Sequence, residues 1–207
     1  MNPNDIIVKL NTHRPKILGS ENFRKYAILL PLVKTNEGIS ILFEIRSLKL
    51  RRQPGEICFP GGRIDPGDKD EQEAAIRETI EELGIAREHI THVKPLDFMI
   101  SPFGMIIYPF AGFLGGFEKL CPNEAEVGEV FTVPLEFFMK TEPDVYHINI
   151  RPEPEENFPF DKVVGGRDYD FRAARMDEYF YEYEGRIIWG LTARILAHFI
   201  TILKETS

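Results

Sequence analysis

The sequence predicts an α/β fold in which a mixed β-sheet is sandwiched between helices. Three observations predict it. Apolar strand-like runs alternate with helical patterns along the chain. A glycine-rich turn at Gly61-Gly62 leads into a helix rich in carboxylates. A final stretch, Leu191–Leu203, carries apolar residues at helical spacing and closes the fold. At 207 residues the chain suits one domain, residues 1–207, with a core from about residue 25 to about residue 203.

The elements follow in order. Asn4–Asn11 reads as a short helix. Tyr26–Val33, rich in Ile, Leu and Val, reads as a buried strand, and Ile39–Arg46 returns beside it after the turn Asn36-Glu37-Gly38. Glu56–Phe59 is a short strand that enters the glycine turn. Beyond the carboxylate helix, strands are expected at His92–Ile100, Met105–Gly112 and Glu129–Pro134. Tyr179–Tyr183 and Arg186–Ile188 flank Glu184-Gly185 as a hairpin. Residues 152–176 are the least patterned, with prolines, glycines and mixed charge, and read as a substrate-covering loop or a surface excursion.

The carboxylate helix carries Arg77, Glu78, Glu81 and Glu82 as R-E-x-x-E-E. With Glu78 at zero and roughly 100° per residue, Glu81 falls near about −60° and Glu82 near about +40°. Ile76, Ile80 and Leu83 fall on the opposite side. The helix is therefore expected to bury that side and present an acidic stripe on the other. Asp68 or Asp70 can cap its start, and Gly84 suits its end. Three carboxylates so close repel one another unless a divalent cation lies among them. Mg²⁺ takes carboxylate oxygens, waters and substrate phosphates. Gly61 and Gly62, without Cβ atoms, allow the backbone to approach that site. Arg77 reads as a partner that orients a carboxylate.

These residues resemble the Nudix box, G-x5-E-x7-R-E-U-x-E-E-x-G-U with U aliphatic. Arg77, Glu78, Glu81, Glu82, Gly84 and Ile85 match it, and Thr79 stands at the first U position. Six residues past Gly62 the chain has Asp68, with one residue more than the box between it and Arg77. That expansion removes the ground, on spacing, for pairing Asp68 with Arg77. Upstream, Arg46 to Gly62 fits R-S-x3-R-x3-G-x3-F-P-G-G, similar to the signature of Nudix coenzyme A pyrophosphatases. That signature opens L-L-T-x-R, whereas this chain reads Leu42-Phe43-Glu44-Ile45-Arg46. Trp189-Gly190-Leu191-Thr192-Ala193 resembles the W-G-x-T-A stretch that opens the final helix in that subfamily.

The resemblance implies a Nudix-type α/β/α sandwich with a mixed β-sheet. It also implies Mg²⁺- or Mn²⁺-dependent cleavage of the diphosphate of coenzyme A, or of its thioesters or oxidised forms, to 3′,5′-ADP and 4′-phosphopantetheine. Glu78, Glu82 and Glu81 are the expected metal ligands and, with Arg77, the catalytic set. Arg46 and Arg51, with Gly61 and Gly62, are the expected substrate contacts, the arginines by bidentate pairing with phosphate. Lys49 and Arg52 belong to the same basic cluster. Glu56 and Glu126 are further candidates for a base or ligand, and Phe103, Tyr108 and Phe110 for an aromatic platform under adenine. Two other readings stand beside this one. Another diphosphate derivative, such as ADP-ribose or NADH, would use the same chemistry, and a ligand-sensing domain would turn nothing over.

Composition bounds the partners. The net charge of −8 argues against general nucleic-acid binding, so a small-molecule substrate is expected, with a homodimer left open. Two cysteines, Cys58 and Cys121, offer no disulfide framework, and Cys58 reads as a buried strand residue. The N-terminal residues have no signal-peptide pattern, the C-terminal Glu-Thr-Ser is no peroxisomal address, and no apolar run spans a membrane. The expected location is the cytoplasm.

Overall fold

The computed structural model describes residues 2–205. Helix α1 (Pro3–Thr12) begins at Asn2, which caps it, and buries no residue. Strands β1 (Arg24–Thr35) and β2 (Gly38–Arg46) form the expected hairpin, with Leu32 opposite Ile41. Next come β3 (Ile57–Cys58), β4 (Gly61–Arg63) and helix α2 (Glu71–Leu83). The stretch expected as one strand at His92–Ile100 is two, β5 (Ile90–Pro95) and β6 (Met99–Ser101), which pair with β7 (Met105–Leu114) at different points. Strand β8 (Val127–Pro134) leads directly into helix α3 (Leu135–Lys140). Strands β9 (Asp144–Ile150), β10 (Ala174–Tyr183) and β11 (Arg186–Trp189) precede the last helix, α4 (Gly190–Glu205).

Eight strands form one mixed sheet ordered β3-β2-β1-β7-β5, with β4 also on β1, β6 on β7 and β8 on β2. The β1–β7 pair is parallel, and the other pairs of this sheet are antiparallel. Alternation along β1 divides the core. Leu30 joins the layer shared with Phe138 of α3 and Leu196 and Phe199 of α4, while Ala27, Leu29 and Val33 join the layer under α2 with Ala75, Ile76 and Leu83. Helices thus cover both faces of the sheet, as expected.

Three features depart from the sequence reading. The hairpin β10–β11 belongs to a separate three-stranded sheet with β9, a strand the sequence did not reveal because every residue but Ile150 is exposed. Helix α3 is also new; it is only six residues long, too short to show a periodic pattern. Residues 152–176 contain two short 3-10 turns, and Phe158, Phe160, Tyr169 and Phe171 pack on one another, with Arg167 over the Phe160 ring. The stretch from Ala174 is already part of β10. Among the described residues, no helix is long and apolar enough to cross a membrane. Thr206 and Ser207, on which the C-terminal address reading partly rests, lie outside the described residues.

Candidate active site

Strand β4 brings the glycine turn against helix α2. Gly61 and Gly62 pair with Ile28 and Ala27 of β1. A Cβ at Gly61 would lie 2.5 Å from the Ala27 carbonyl oxygen, so only glycine fits against β1 there. The Gly61 N–H donates to Glu82 Oε2 at 2.8 Å and fixes that carboxylate under the turn. Asp70 caps α2 by accepting from the Glu73 N–H at 2.9 Å, so the cap is Asp70 and not Asp68. Gly84 ends the helix in the left-handed region, at φ 60°. Thr79, at an aliphatic box position, is fully buried, and its hydroxyl donates to the Ala75 carbonyl at 2.7 Å.

The acidic residues do not form one exposed stripe. Glu81 is outward, with 54% of its side chain exposed, Glu78 is largely covered at 18%, and Glu82 is buried. The arc of α2 that meets the sheet includes Ala75, Thr79 and Glu82 as well as Ile76 and Leu83, while Ile80 is only partly covered. Angles along the helix order its residues but do not say where the covering strand lies.

Arg77 holds the group together. Its Nη1 donates to Glu78 Oε1 at 2.9 Å and to Glu81 Oε2 at 3.1 Å. Its Nε and Nη2 grip Asp68 at 2.9 and 3.1 Å, and Nη2 also reaches the Arg63 carbonyl. Asp68 is therefore the partner of Arg77, contrary to the expectation from spacing. The extra residue is absorbed in a tight turn, where the Asp68 N–H donates to the Asp65 carbonyl and Asp68 Oδ2 accepts from the Asp65 N–H. Asp68 is held below the usual carboxylate range by its bond to Arg77, and the Arg77 guanidinium is held more firmly protonated by Asp68.

A further carboxylate stands opposite the helix. Glu44 on β2 is 1% exposed and shares its face of the strand with Leu42 of the α2 layer. The sequence marked Glu44 only as a departure from L-L-T-x-R; strand alternation with Leu42 is the signal that would have placed it. Burial pushes both Glu44 and Glu82 above the usual carboxylate range, and the proximity of Glu44 is the next largest influence on Glu82. Glu78 is raised as well, by burial first. Glu126 is exposed, but its charge acts on Glu44, Glu78 and Glu82 alike, so it stands at the rim of the group.

The other candidates divide. Arg46 ends β2 two residues from Glu44, with its Nε enclosed and unpaired, whereas Arg51, Lys49 and Arg52 are exposed on the following loop. Glu56 is not brought to the carboxylates; it accepts from Gln53 Nε2 at 2.8 Å and lines a groove with Phe180, Ile187 and Trp189. Phe110 is buried in the α2 layer, Tyr108 packs beside Phe98, and Phe103 is exposed. Cys58 is half-buried, and its thiol donates to Glu44.

Among the described residues, no three His, Cys, Asp or Glu side chains converge at metal-ligand spacing. The donors nevertheless fit a hard cation. Glu78 and Glu82 lie one helical turn apart, covered, mutually repelling and lined against glycine backbone. Mg²⁺ is commonly held by one or two carboxylates, with waters and phosphate oxygens completing its shell.

The NUDIX domain family model matches residues 24–151. The chain belongs to the Nudix family. Members generally use divalent metals such as Mg²⁺. This Nudix protein is 39% identical over 123 residues to the peroxisomal coenzyme A diphosphatase NUDT7 of Mus musculus, covering 59% of this chain and 51% of that relative. It thus spans about half the length of that relative. It is 33% identical over 182 residues to an uncharacterized Nudix hydrolase, NudL, of Photorhabdus laumondii, covering 88% of this chain and 86% of that protein. The crystal structure of a MutT/nudix family protein from Enterococcus faecalis has a TM-score of 0.51 at 15% identity, covering 99% of this chain and 70% of that one. At that identity the likeness bears on the fold alone.

Proposed function

We propose that this protein hydrolyses the diphosphate bond of coenzyme A, its thioesters or its oxidised forms, with Mg²⁺ or Mn²⁺, giving 3′,5′-ADP and 4′-phosphopantetheine from coenzyme A itself. The observation that carries the reading is the Arg46–Gly62 segment. It fits the coenzyme A signature, starts beside Glu44 and ends at the glycine turn that holds Glu82. The coenzyme A diphosphatase name of the mouse relative supports the same substrate.

Glu78 and Glu82 are the residues that would hold the cation, with Glu81 brought in on release from Arg77. Bound there, a divalent cation neutralises phosphate charge and lowers the pKa of a water molecule. Arg77 fixes the Glu78 rotamer, and the Gly61 N–H fixes that of Glu82. Arg46 and Arg51 supply guanidinium donors for phosphate oxygens against the overall negative charge of the chain. Water adds to one phosphorus, the bridging oxygen leaves with the other phosphate, and a carboxylate accepts the water proton. Glu126, at the exposed rim, is a candidate for that last role.

Purified protein incubated with coenzyme A and Mg²⁺, with products resolved by mass spectrometry, tests the reading. The two named products are expected. Turnover of ADP-ribose or NADH but not of coenzyme A would overturn the substrate and keep the chemistry. Equal turnover of dephospho-coenzyme A would remove the 3′-phosphate from recognition.

A further inference from the structure

The three-stranded sheet turns an apolar face to solvent. Tyr181 of β10 and Ile188 of β11 point into the core, so by strand alternation Phe180, Ile187 and Trp189 point the other way. Ile187 remains 44% exposed and Trp189 41%. The solvent face of an antiparallel sheet is ordinarily polar. Here Trp189 stacks on Phe180 with ring centroids 5.8 Å apart, and Tyr146 of β9 meets Phe180 edge-on at 5.4 Å. Ile148, exposed two residues further along β9 and opposite Met176, continues the strip. Three strands at the usual spacing make it about 10 Å wide.

This face forms one side of a groove of about 450 Å³, and Pro54, Gly55 and Ile57 of the Arg46–Gly62 segment form the other. A hydrogen bond ties the two sides together: the Thr192 hydroxyl, at the start of α4, donates to the Ile57 carbonyl at 3.1 Å. The two stretches similar to the coenzyme A subfamily, Arg46–Gly62 and Trp189–Ala193, thus meet at this groove. Hydrolysis of the diphosphate gives the second stretch no role. The groove starts one residue from the carboxylate group along β3: Ile57 pairs with Ile45, and Cys58 pairs with Glu44 and donates its thiol to it at 3.2 Å.

The lining disfavours the nucleotide end of a coenzyme A thioester. Among the described residues that line the groove, Glu56 is the one charged group, a carboxylate that accepts from Gln53 Nε2. A phosphate there would meet a like charge and no guanidinium or ammonium group. Aliphatic and aromatic walls match methylene groups instead, and a contiguous exposed apolar surface marks a binding site.

We propose that the groove between Ile57 and Trp189 takes the acyl-bearing arm of a fatty-acyl coenzyme A thioester, with the chain lying over Phe180 towards Tyr146 and Ile148. Phe180, Ile187 and Trp189 set a preference for long acyl chains, while the carboxylates act on the diphosphate. The proposal rests on the reading of coenzyme A thioesters as the substrate class.

Trp189 is the only tryptophan of the chain, so its fluorescence reports on the groove directly. The purified full chain is titrated in EDTA with coenzyme A and with lauroyl-coenzyme A below its micellar concentration. Lauroyl-coenzyme A is expected to shift the emission to shorter wavelength, saturably, and to bind at least about tenfold more tightly than coenzyme A, since each buried methylene is worth several-fold. I187D, at an exposed position, is expected to lose that advantage by at least about tenfold, and I187L to keep it. With Mg²⁺, kcat/KM for lauroyl-coenzyme A relative to coenzyme A is expected to fall in I187D by the same factor, through KM. Lauroyl-coenzyme A that moves the emission no more than coenzyme A does, or an advantage that survives in I187D, would overturn the proposal. So would a dimer in sedimentation velocity that I187D dissociates and lauroyl-coenzyme A does not, which would assign the face to a second copy of the chain. Turnover of coenzyme A without any dependence on the acyl chain would remove the groove and keep the hydrolytic reading. Chain-dependent binding without turnover would keep the groove and remove that reading.

Discussion

Gly62 and Glu78 occupy each other's space: a Cβ on residue 62 would lie 2.3 Å from the Glu78 carboxyl carbon. The carboxylate rests directly on the glycine backbone, and Arg77 holds it there from the other side. Gly62→Ala must displace Glu78. The atoms displaced are the far end of a flexible side chain, so stability is expected to fall by no more than about 1 kcal/mol, through loosening of the Arg77–Glu78 contact. Turnover of coenzyme A is expected to fall by more than about 10²-fold, since a misplacement of about 1 Å is that costly. Denaturant titration and steady-state kinetics check both, and turnover near that of wild type would mean that Glu78 works from another position.

Glu82→Gln separates catalysis from stability. Its kcat is expected to drop at least about 10²-fold through loss of metal-assisted chemistry. In metal-free buffer at neutral pH, the same variant is expected to melt higher than wild type, because burial raises the Glu82 pKa to about 9 and the wild-type chain must take up a proton there on folding, which Gln does not require. Activity within a few-fold of wild type would take Glu82 out of the site.

The metal-free protein should lose stability as pH rises. Glu44 and Glu82 have folded-state pKa values above the ordinary carboxylate value, so between those limits the unfolded chain has released protons that the folded chain still binds. Their contribution is complete below the ordinary carboxylate range and is lost as pH climbs through the folded values. Thermal melts in EDTA from about pH 5 to about pH 8 should show a falling Tm, which Mg²⁺ should restore at the upper end. A flat profile would mean that the two carboxylates are far better solvated than their burial implies.

Asp68 behaves in the opposite sense. Its bond to Arg77 lowers its pKa, so the stabilisation is present above the ordinary Asp range and lost as pH falls through the folded value. Asp68→Asn should cost about 1–3 kcal/mol at neutral pH, and the gap to wild type should narrow as pH falls below the ordinary Asp range and close beneath the folded-state value. A gap that persists in acid would assign the loss to packing instead.

Much of the scaffold could be read from local pattern. The β1–β2 hairpin, helix α2 with its Gly84 stop and a cap at Asp68 or Asp70, and helix α4 all carry strong periodicity or end signals, and the structure selects Asp70. Strand β9 and helix α3 escaped because one is almost wholly exposed and the other is under two turns long. The Asp68–Arg77 pair is not legible from spacing, which counts residues, while a turn closed by Asp65 and Asp68 takes up the extra one.

The sequence by itself determined that Arg77, Glu78, Glu81 and Glu82 lie within one turn and a half of a helix reached through Gly61-Gly62, because helical spacing is local. It also determined the Nudix resemblance, which rests on order and spacing alone. Only the tertiary structure decided which carboxylate faces where: Glu81 outward, Glu78 against Gly62, Glu82 buried under Gly61 and opposite Glu44. Glu44 and Glu82 are 38 positions apart in the chain. Their meeting depends on how β1, β2 and β4 pair and on which side of that sheet α2 docks, and this is set by long-range packing that no local pattern encodes.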